Sequence, residues 1–334
     1  KVELPPRLRS SLSFVDRPER DRLRNIAAGI LTANGFMEIM SNSLTSSKYI
    51  EKSKDLKALH NVEMLNPLSV DLNVLRQTLL FGGLEAISFN VNRKSADLKL
   101  FEFGRQYKKI EGKDRDPDVT KRFSEEEFLS VFLTGRFYPE SWKYPGSSAD
   151  IFDLKAFVLI LLERFGIDPH QISFTVIDDD HIKSGLEFMK NNISIAKAGI
   201  VSDKWLDIFD LKEPVFYGEI SLDRIMEMID ISNIKYREIP RFPAVRRDLA
   251  LLINREVTFE DIRKTAYQYE DNLLKEINLF DVYEGEKIEA GKKSYAVSFI
   301  LQDPEKTLTD KVIDHTMDKL ARAFEKQLGA TIRS

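Results

Sequence analysis

The stretch that decides the fold reads Arg241-Phe242-Pro243-Ala244-Val245-Arg246-Arg247-Asp248. Downstream of it, alternating apolar residues predict strands, and amphipathic runs with caps predict helices. These patterns predict six elements, which are a strand at Asp248–Ile253, a helix from Thr258 to Tyr269, strands at Leu274–Tyr283 and Ser294–Leu301, a helix from Thr309 to Gly329, and a strand at Ala330–Arg333. The order βαββαβ is the split βαβ pattern of a ferredoxin-like sandwich.

The sequence motifs of this segment are more specific than its predicted topology. Four blocks stand in a fixed order across it, at Phe242–Ala250, Leu279–Gly285, Gly291–Ser294 and Thr307–Asp310. Together they resemble the ferredoxin-fold anticodon-binding domain that closes the β subunit of bacterial phenylalanyl-tRNA synthetases. The resemblance continues upstream and covers essentially the whole chain.

Length and composition limit the number of domains and the class of protein. A chain of 334 residues exceeds a usual single core, so two domains are expected. With 43% hydrophobic and 31% charged residues, and no apolar run long enough to cross a bilayer, the sequence predicts a soluble globular protein. The absence of Cys excludes disulfides and thiolate metal sites and fits a reducing cytoplasm. Because the chain starts at Lys1 rather than Met, we expect a fragment of a longer protein.

The net charge of −4 argues against a protein that binds nucleic acid by charge alone. Residues 241–334 hold 16 Lys or Arg against 17 Asp or Glu. A domain that bound RNA by neutralising phosphates would be clearly basic. Any RNA role must therefore depend on local geometry, or on charge from other parts of an assembly.

The first two-thirds of the chain predict an antiparallel α+β domain rather than a doubly wound sheet. A helix after Arg17 that ends at Asn34-Gly35 is followed by strand-rich sequence with three or four flanking helices. Short strands are predicted late in this segment, at Ile172–Ile177, Ile193–Ala196, Gly199–Ser202 and Val215–Ser221. Three short motifs in this segment also resemble the β subunit, at Asn66–Ser69, Leu75-Arg76 and Phe101–Arg105. In that family they belong to a module related to the class II catalytic domain. The resemblance implies that the first helix and strand build a subunit interface; periodicity alone also fits an ordinary helix on its own core. The predicted domains are 1–238 and 239–334.

We expect the class II-like domain to be catalytically silent. Class II synthetases need an Arg near the α-phosphate, a nearby acid, and a Gly-rich junction carrying a second Arg. Here Lys108 takes the first Arg place and Ile110 the acid place, and an apolar side chain cannot serve as that acid. At the second site, Glu219–Arg224 keeps the arginine but replaces both glycines, so the backbone no longer admits a nucleotide.

No metal site is predicted. The four histidines, His60, His170, His181 and His315, lack metal-ligand spacing. The run Asp178-Asp179-Asp180-His181 looks like a cation site, but consecutive acids on an extended run point in alternating directions, which favours a solvated turn.

The candidate RNA contacts lie on the second strand of the ferredoxin-like segment. Strict alternation places Asp281 and Tyr283 on one face together with Leu279, and puts the apolar pair Phe280 and Val282 on the other face, towards the helices. Tyr283 then suits base stacking, and Asp281 can accept from an amine or N–H of guanine. A strand-end tyrosine that packs over the adjacent turn is the alternative for Tyr283.

The resemblance implies specific roles. In the family, the wobble guanine of the anticodon stacks on an aromatic residue and neighbouring polar groups read it. Motif match assigns these roles to Tyr283, Asp281, Ser294 and the backbone at Ala250. Two more candidates, Arg246 and Arg247, are plausible phosphate contacts, although a solvated strand entry fits them equally well.

The hypothesis from sequence is a non-catalytic C-terminal part of the β subunit. The implied assembly is an α2β2 tetramer in the cytoplasm that does not associate with a membrane. In it the α subunit charges tRNA(Phe) using phenylalanine, ATP and Mg²⁺. This chain would bind none of these cofactors itself and would scaffold α and read the anticodon. Two alternatives stay open: an independent ATP-using class II-like enzyme, and a regulatory protein whose ferredoxin-like module binds a metabolite.

Overall fold

The chain forms two compact units. The structure is a computed structural model that describes residues 19–67, 69, 71–113, 115–143, 145–229, 239–285, 288–289 and 291–333. It divides into two compact units, Lys1–Asn233 and Ile234–Ser334. The boundary expected between residues 238 and 239 borders residues 230–238, which lie outside the described part, so it stays a prediction.

The first unit contains seventeen α-helices and β-strands within the described residues. In chain order these are α1 (Glu19–Ala33), β1 (Met37–Glu38), β2 (Leu44–Thr45), α2 (Ser47–Lys52), β3 (Val74–Leu75), α3 (Leu80–Val91), β4 (Leu98–Lys109), β5 (Phe123–Thr134), β6 (Arg136–Tyr138), β7 (Ser147–Ser148), α4 (Ile151–Arg164), β8 (Ser173–Ile177), β9 (Ile182–Lys190), β10 (Ile193–Val201), α5 (Asp203–Ile208), β11 (Val215–Ser221) and α6 (Leu222–Met228).

Seven of these strands form one sheet in the order β1-β4-β5-β11-β10-β9-β8. Every neighbouring pair is antiparallel except β1 and β4, which are parallel. Alternation along the strands gives the sheet two apolar faces. One face packs against α1, α4 and α6, and the other against α3 and α5. The predicted antiparallel α+β domain is confirmed.

Two details of this sheet differ from the sequence prediction. The short strands expected at Ile193–Ala196 and Gly199–Ser202 form one strand, β10, because the charge of Lys197 is neutralised by Glu219 on β11. Strand β9 was not predicted. It lies against β10 where Gly185 meets Gly199, and a Cβ on either glycine would fall within 2.7–3.0 Å of the other strand's backbone.

The motif that carried the resemblance in this unit has a structural role. The guanidinium of Arg76 donates to the buried carboxylate of Glu102 at 2.7 Å and to the carbonyl of Arg105 at 3.0 Å. It lies so close to Gly104 that a Cβ there would come within 2.2 Å of Arg76 Nη2. The arginine, the acid and the glycine are therefore required together, because a buried charge must be paired.

The second unit contains β12 (Val245–Asn254), α7 (Phe259–Tyr269), β13 (Leu274–Tyr283), β14 (Lys292–Leu301), α8 (Asp310–Leu328) and β15 (Thr331–Arg333). Its sheet has the order β13-β14-β12-β15 and is antiparallel throughout. The predicted ferredoxin-like βαββαβ fold is confirmed. Thr258 and Asp261 form a capping box at the start of α7, and Gly329, with φ of 62°, ends α8.

One face of this four-stranded sheet is covered and the other is open. Both helices pack on the residues of odd number in β12 and β14, among them Leu251, Val297 and Phe299. The residues of even number in β12 and β14 face away from the helices. This open face carries the small residues Ala250, Ser294, Ala296 and Ser298 together with larger ones, among them Arg246, Leu252 and Ile300. The result is a surface that is shallow around the rung of Ala250 and Ala296.

Candidate nucleic-acid interface

Four of the six residues expected to contact RNA lie together on the open face of the second unit. Tyr283 of β13 stands directly opposite Ser294 of β14. One rung along, Asp281 stands opposite Ala296, which in turn stands opposite Ala250 of β12. Directly opposed residues on neighbouring antiparallel strands are about 4.5–5.5 Å apart. The four positions therefore occupy two adjacent rungs across three strands.

The side chains that could read a base are free. Neither the carboxylate of Asp281 nor the hydroxyl of Ser294 has a hydrogen bond or ion pair within the described residues. Asp281 is exposed, and 42% of the Tyr283 side chain is exposed. An exposed carboxylate, a hydroxyl and an aromatic ring together can accept, donate and stack. This is the set of groups that recognition of an unpaired base requires.

Tyr283 does pack over the adjacent turn, as the alternative interpretation predicted, and it is also exposed. Its ring lies on Gly285, where a Cβ would come within 2.5 Å of the tyrosine hydroxyl oxygen. Between them, Glu284 forms an ion pair of 3.0 Å with Arg255, which follows β12. The turn therefore supports the ring from one side and holds it in place before any ligand binds.

The expected faces are wrong for Leu279 and Phe280, whereas Val282 opposes the core residue Tyr295 and lies on the helix side as predicted. Leu279 opposes Val297 and Asp281 opposes Ala296, so Phe280 is an extra residue that forms a β-bulge. Because of this bulge, Leu279 faces the helices and joins the apolar core, whereas Asp281 and Tyr283 keep the open face. Phe280 and Val282 do not enter the core; 48% and 49% of their side chains are exposed. No periodicity in the sequence marks the extra residue.

The two arginines expected at phosphates lie on different faces. Arg246 is on the open face, where its guanidinium pairs with Asp248 at 2.8 Å and lies over the ring of Phe280 with 5.1 Å between Cζ and the ring centroid. Arg247 opposes the core residue Phe299 and is therefore on the helix side, 3.9 Å from Asp310. Of these two arginines, only Arg246 lies on the same face of the sheet as Tyr283.

In the first unit, the residues matched to the class II nucleotide site form an internal network. The buried carboxylate of Glu219 accepts hydrogen bonds from Gln106 Nε2 at 2.6 Å and from the Tyr217 hydroxyl, and lies 3.3 Å from Lys197 Nζ. Burial lowers the pKa of Lys197, but attraction to Glu219 outweighs it and the pKa is raised. Burial, and then the charge of Glu219, raises the pKa of Tyr217 well above its usual value.

The arginine retained at this site is also occupied. Arg224 pairs with Glu126 at 2.8 Å and donates to the carbonyl of Ser194 at 2.8 Å, and Glu126 accepts from Ser221 at 2.7 Å. These side chains line a cavity of about 220 Å³. Pockets for cofactor-sized ligands are about 300–1,000 Å³. The charged side chains that would meet a nucleoside triphosphate at this cavity are already paired with one another.

The acidic run forms the connection between β8 and β9, and its side chains are used within it. Asp179 accepts from the backbone N–H groups of His181 and Ile182 at 2.9 and 2.7 Å. Asp180 accepts from Lys204 Nζ at 2.7 Å. Ligand atoms of Asp55, Asp180 and His181 lie within 4.8 Å of one another, and the Lys204 ammonium pairs with the Asp180 carboxylate of this group.

Comparison with known families agrees with this geometry. Residues 4–222 match the model of the phenylalanyl tRNA synthetase beta chain CLM domain, and residues 240–333 match that of the ferredoxin-fold anticodon binding domain. The chain belongs to the phenylalanyl tRNA synthetase beta chain family. The first match spans the seven-stranded sheet unit through β11, and the second spans the whole ferredoxin-like unit.

Curated relatives extend the match over the full chain. The chain is 44% identical to the phenylalanine–tRNA ligase beta subunit of Bacteroides thetaiotaomicron over 334 residues, covering 99% of this chain and 41% of that protein. Against the same subunit of Porphyromonas gingivalis the identity is 38%, covering 100% and 41%. The chain thus spans about 41% of the length of these relatives.

Among solved structures, the chain is similar to pyrrolysyl-tRNA synthetase from Desulfitobacterium hafniense, with a TM-score of 0.48 and 14% identity over 64% of this chain and 70% of that one. Within the described residues, no helix has both the length and the apolar character needed to cross a membrane.

Proposed function

We propose that this chain is a non-catalytic part of the β subunit of a cytoplasmic phenylalanine–tRNA ligase. In this role its second unit reads the anticodon region of tRNA(Phe), and its first unit serves as scaffold for the α subunit of an α2β2 enzyme. The observation that carries the proposal is the convergence of Tyr283, Ser294, Asp281 and Ala250 on one open sheet face, where the Asp281 carboxylate and the Ser294 hydroxyl have no hydrogen bond to another described residue.

The chemistry of the face suits an unpaired guanine. The ring of Tyr283 offers stacking worth about 1–3 kcal/mol per base. The Asp281 carboxylate can accept from the exocyclic amine and ring N–H of guanine. Ala250 lies in the same rung as Asp281, and the Ser294 hydroxyl lies in the rung of Tyr283. None of these contacts needs net positive charge, which is consistent with the balanced composition of this unit.

Charging itself would belong to the α subunit, which would use phenylalanine, ATP and Mg²⁺. The network around Glu219 supports this division, because the carboxylate is buried where triphosphate charge would have to enter. Removing Glu219 would leave Lys197 without its buried partner, so the present residues stabilise the fold rather than admit a nucleotide.

The scaffold role draws support from large apolar side chains that are exposed on the first unit. Strand β1 is an edge strand and carries Met37, which is 55% exposed. Met40 and Leu65 are almost completely exposed, at 94% and 98%. Large exposed apolar side chains and open sheet edges mark sites of association. We assign this region to contact with the α subunit.

The reading role is tested by Tyr283→Ala in the intact enzyme. Loss of one stacked base is expected to raise KM for tRNA(Phe) about 5- to 150-fold with kcat little changed, since the ring touches only the anticodon region. Tyr283→Phe keeps the ring and should keep most of the affinity. Val282→Ala, equally exposed on the same strand, is the matched control. A KM that Tyr283→Ala leaves unchanged would remove the assigned stacking role.

Two further measurements separate the rival functions. Tight binding of ATP and phenylalanine to this chain alone, in a calorimetric titration, would favour an independent enzyme. Footprinting of the tetramer with tRNA(Phe) and a non-cognate tRNA addresses RNA reading, and protection of no anticodon base would reject it. For the scaffold role, mixing the chain with α and measuring complex mass should give a stable complex that Met40→Lys with Leu65→Lys weakens.

A further inference from the structure

The bulge in β13 creates a second aromatic position on the open face. Strict alternation would direct Phe280 to the helices, where the apolar core is complete without it. Instead Phe280 is the unpaired residue between two rungs, and nearly half of its side chain is exposed. An exposed phenylalanine on a sheet face has no stabilising function in the core, and bulges re-aim side chains beside functional sites.

The contact with Arg246 shows which face the ring occupies. Arg246 lies on the open face, since its neighbours Val245 and Arg247 oppose the core residues Leu301 and Phe299. Its guanidinium lies over the Phe280 ring, and Asp248 holds the guanidinium from the other side through a bidentate pair of 2.8 and 3.3 Å. The ring is therefore fixed by a chain of two contacts that starts at Asp248.

The spacing of the two rings suits a single-stranded segment. Residues along a strand advance about 3.3 Å each, so Phe280 and Tyr283 lie about 10 Å apart along β13. Between them on the open face stand Asp281 and, on the neighbouring strand, the small residue Ala296. A loop whose bases are splayed out can place one base on each ring while Asp281 reads the edge of the base on Tyr283.

We propose that Phe280 is a second base-stacking position for an unpaired base of the same RNA loop that contacts Tyr283, and that Arg246 is a positioning residue for this ring rather than a phosphate contact. The ligand is a nucleobase beside the one on Tyr283. The proposal depends on the proposed function, because it needs the open face to bind RNA. It adds a second base, and so a second element of discrimination, to that surface.

The test uses the intact α2β2 enzyme and tRNA(Phe) transcripts that carry 2-aminopurine at one anticodon position at a time. Stacking quenches 2-aminopurine, so binding is expected to quench two positions in the wild type. Phe280→Leu keeps apolar volume but loses the π-face. It should weaken tRNA binding about tenfold and restore fluorescence at one position, different from the position that Tyr283→Ala restores. Phe280→Tyr should retain quenching, and Val282→Leu, on the same strand, should change neither property.

The outcomes separate the two levels of the hypothesis. If Phe280→Leu leaves affinity and quenching unchanged while Tyr283→Ala weakens binding, the second stacking position is wrong and the proposed function stands. Restoration of the same position by both variants also overturns the second position. If neither variant changes tRNA binding, the proposed function itself fails, and this inference with it.

Arg246→Gln distinguishes positioning from phosphate contact. As a positioning residue, it should restore fluorescence at the Phe280 position alone and leave the dependence of log affinity on log salt concentration unchanged. Loss of a phosphate contact would instead reduce that slope by about one and weaken cognate and non-cognate tRNA equally. The second pattern would overturn the role assigned to Arg246.

Discussion

The support of Tyr283 by Gly285 gives a prediction that tests the reading surface without removing the aromatic ring. In Gly285→Ala, the added Cβ would lie 2.5 Å from the hydroxyl oxygen of Tyr283 and 2.6 Å from Cζ. Non-bonded carbon atoms prefer separations of about 3.5–4.0 Å, so the ring must retreat by about 1 Å. The backbone of Gly285 has no left-handed φ and accepts alanine, so the folded unit should keep its stability.

The size of the effect follows from the displacement. A gap of about 0.5–1 Å forfeits a quarter to a half of a dispersion contact. Applied to a stack of about 1–3 kcal/mol, this is a loss of about 0.3–1.5 kcal/mol. The variant enzyme should therefore bind tRNA(Phe) about 2- to 12-fold more weakly, with an unchanged melting temperature.

A double-mutant cycle in the intact enzyme is the assay. Affinity for tRNA(Phe) is measured for the wild type, Gly285→Ala, Tyr283→Ala and the double variant. If Gly285 acts through the ring, Gly285→Ala should have no further effect once Tyr283 is alanine. An equal loss of affinity in both backgrounds would show that Gly285 acts by another route, and the argument that the turn positions Tyr283 would be refuted.

Two further predictions concern the first unit. A Cβ on Gly83 of α3 would lie 2.0 Å from Cζ of the buried Phe132, so Gly83→Ala should lower the free energy of unfolding by about 1–3 kcal/mol. Gly29→Ala on α1, where a Cβ would have nothing within 4 Å, should instead raise the free energy of unfolding by up to about 1 kcal/mol. Equal midpoints of urea unfolding for the two variants would contradict this prediction. Burial lowers the pKa of His181, so the unfolded chain binds a proton that the folded chain does not, and stability present above pH about 6.5 should be lost as the pH falls below it. His181→Gln should flatten that part of the pH profile, measured by urea unfolding, and an unchanged slope would exclude His181 as its source.

Sequence patterns predicted most of the elements because these obey the period of their secondary structure. Strand β13 has its predicted bounds, Leu274–Tyr283, and Thr258 and Gly329 begin and end helices as their chemistry requires. Failures occurred where tertiary contacts overrule local pattern. The charge of Lys197 within an apolar run predicted two short strands instead of the single strand β10. The ion pair with Glu219 on the neighbouring strand β11 stabilises the lysine inside this strand.

The site was predicted in part for the same reason. Alternation placed Asp281 and Tyr283 on one face, and they do share the open face. It also placed Leu279 with them and Phe280 in the core, because a period of two has no means of showing an extra residue. Two contacts of the site join residues that no local pattern relates. Phe280 of β13 meets Arg246 of β12, and Tyr283 meets Gly285 in the turn that follows β13.

The extra residue in β13 can be removed without changing the partners of the residues on either side of it. Because Leu279 opposes Val297 and Asp281 opposes Ala296, deleting Phe280 would restore a regular ladder in which Leu279 stays under the helices while Asp281 and Tyr283 stay on the open face. The loss of this one codon would therefore remove the second ring and leave the acid and the tyrosine in place.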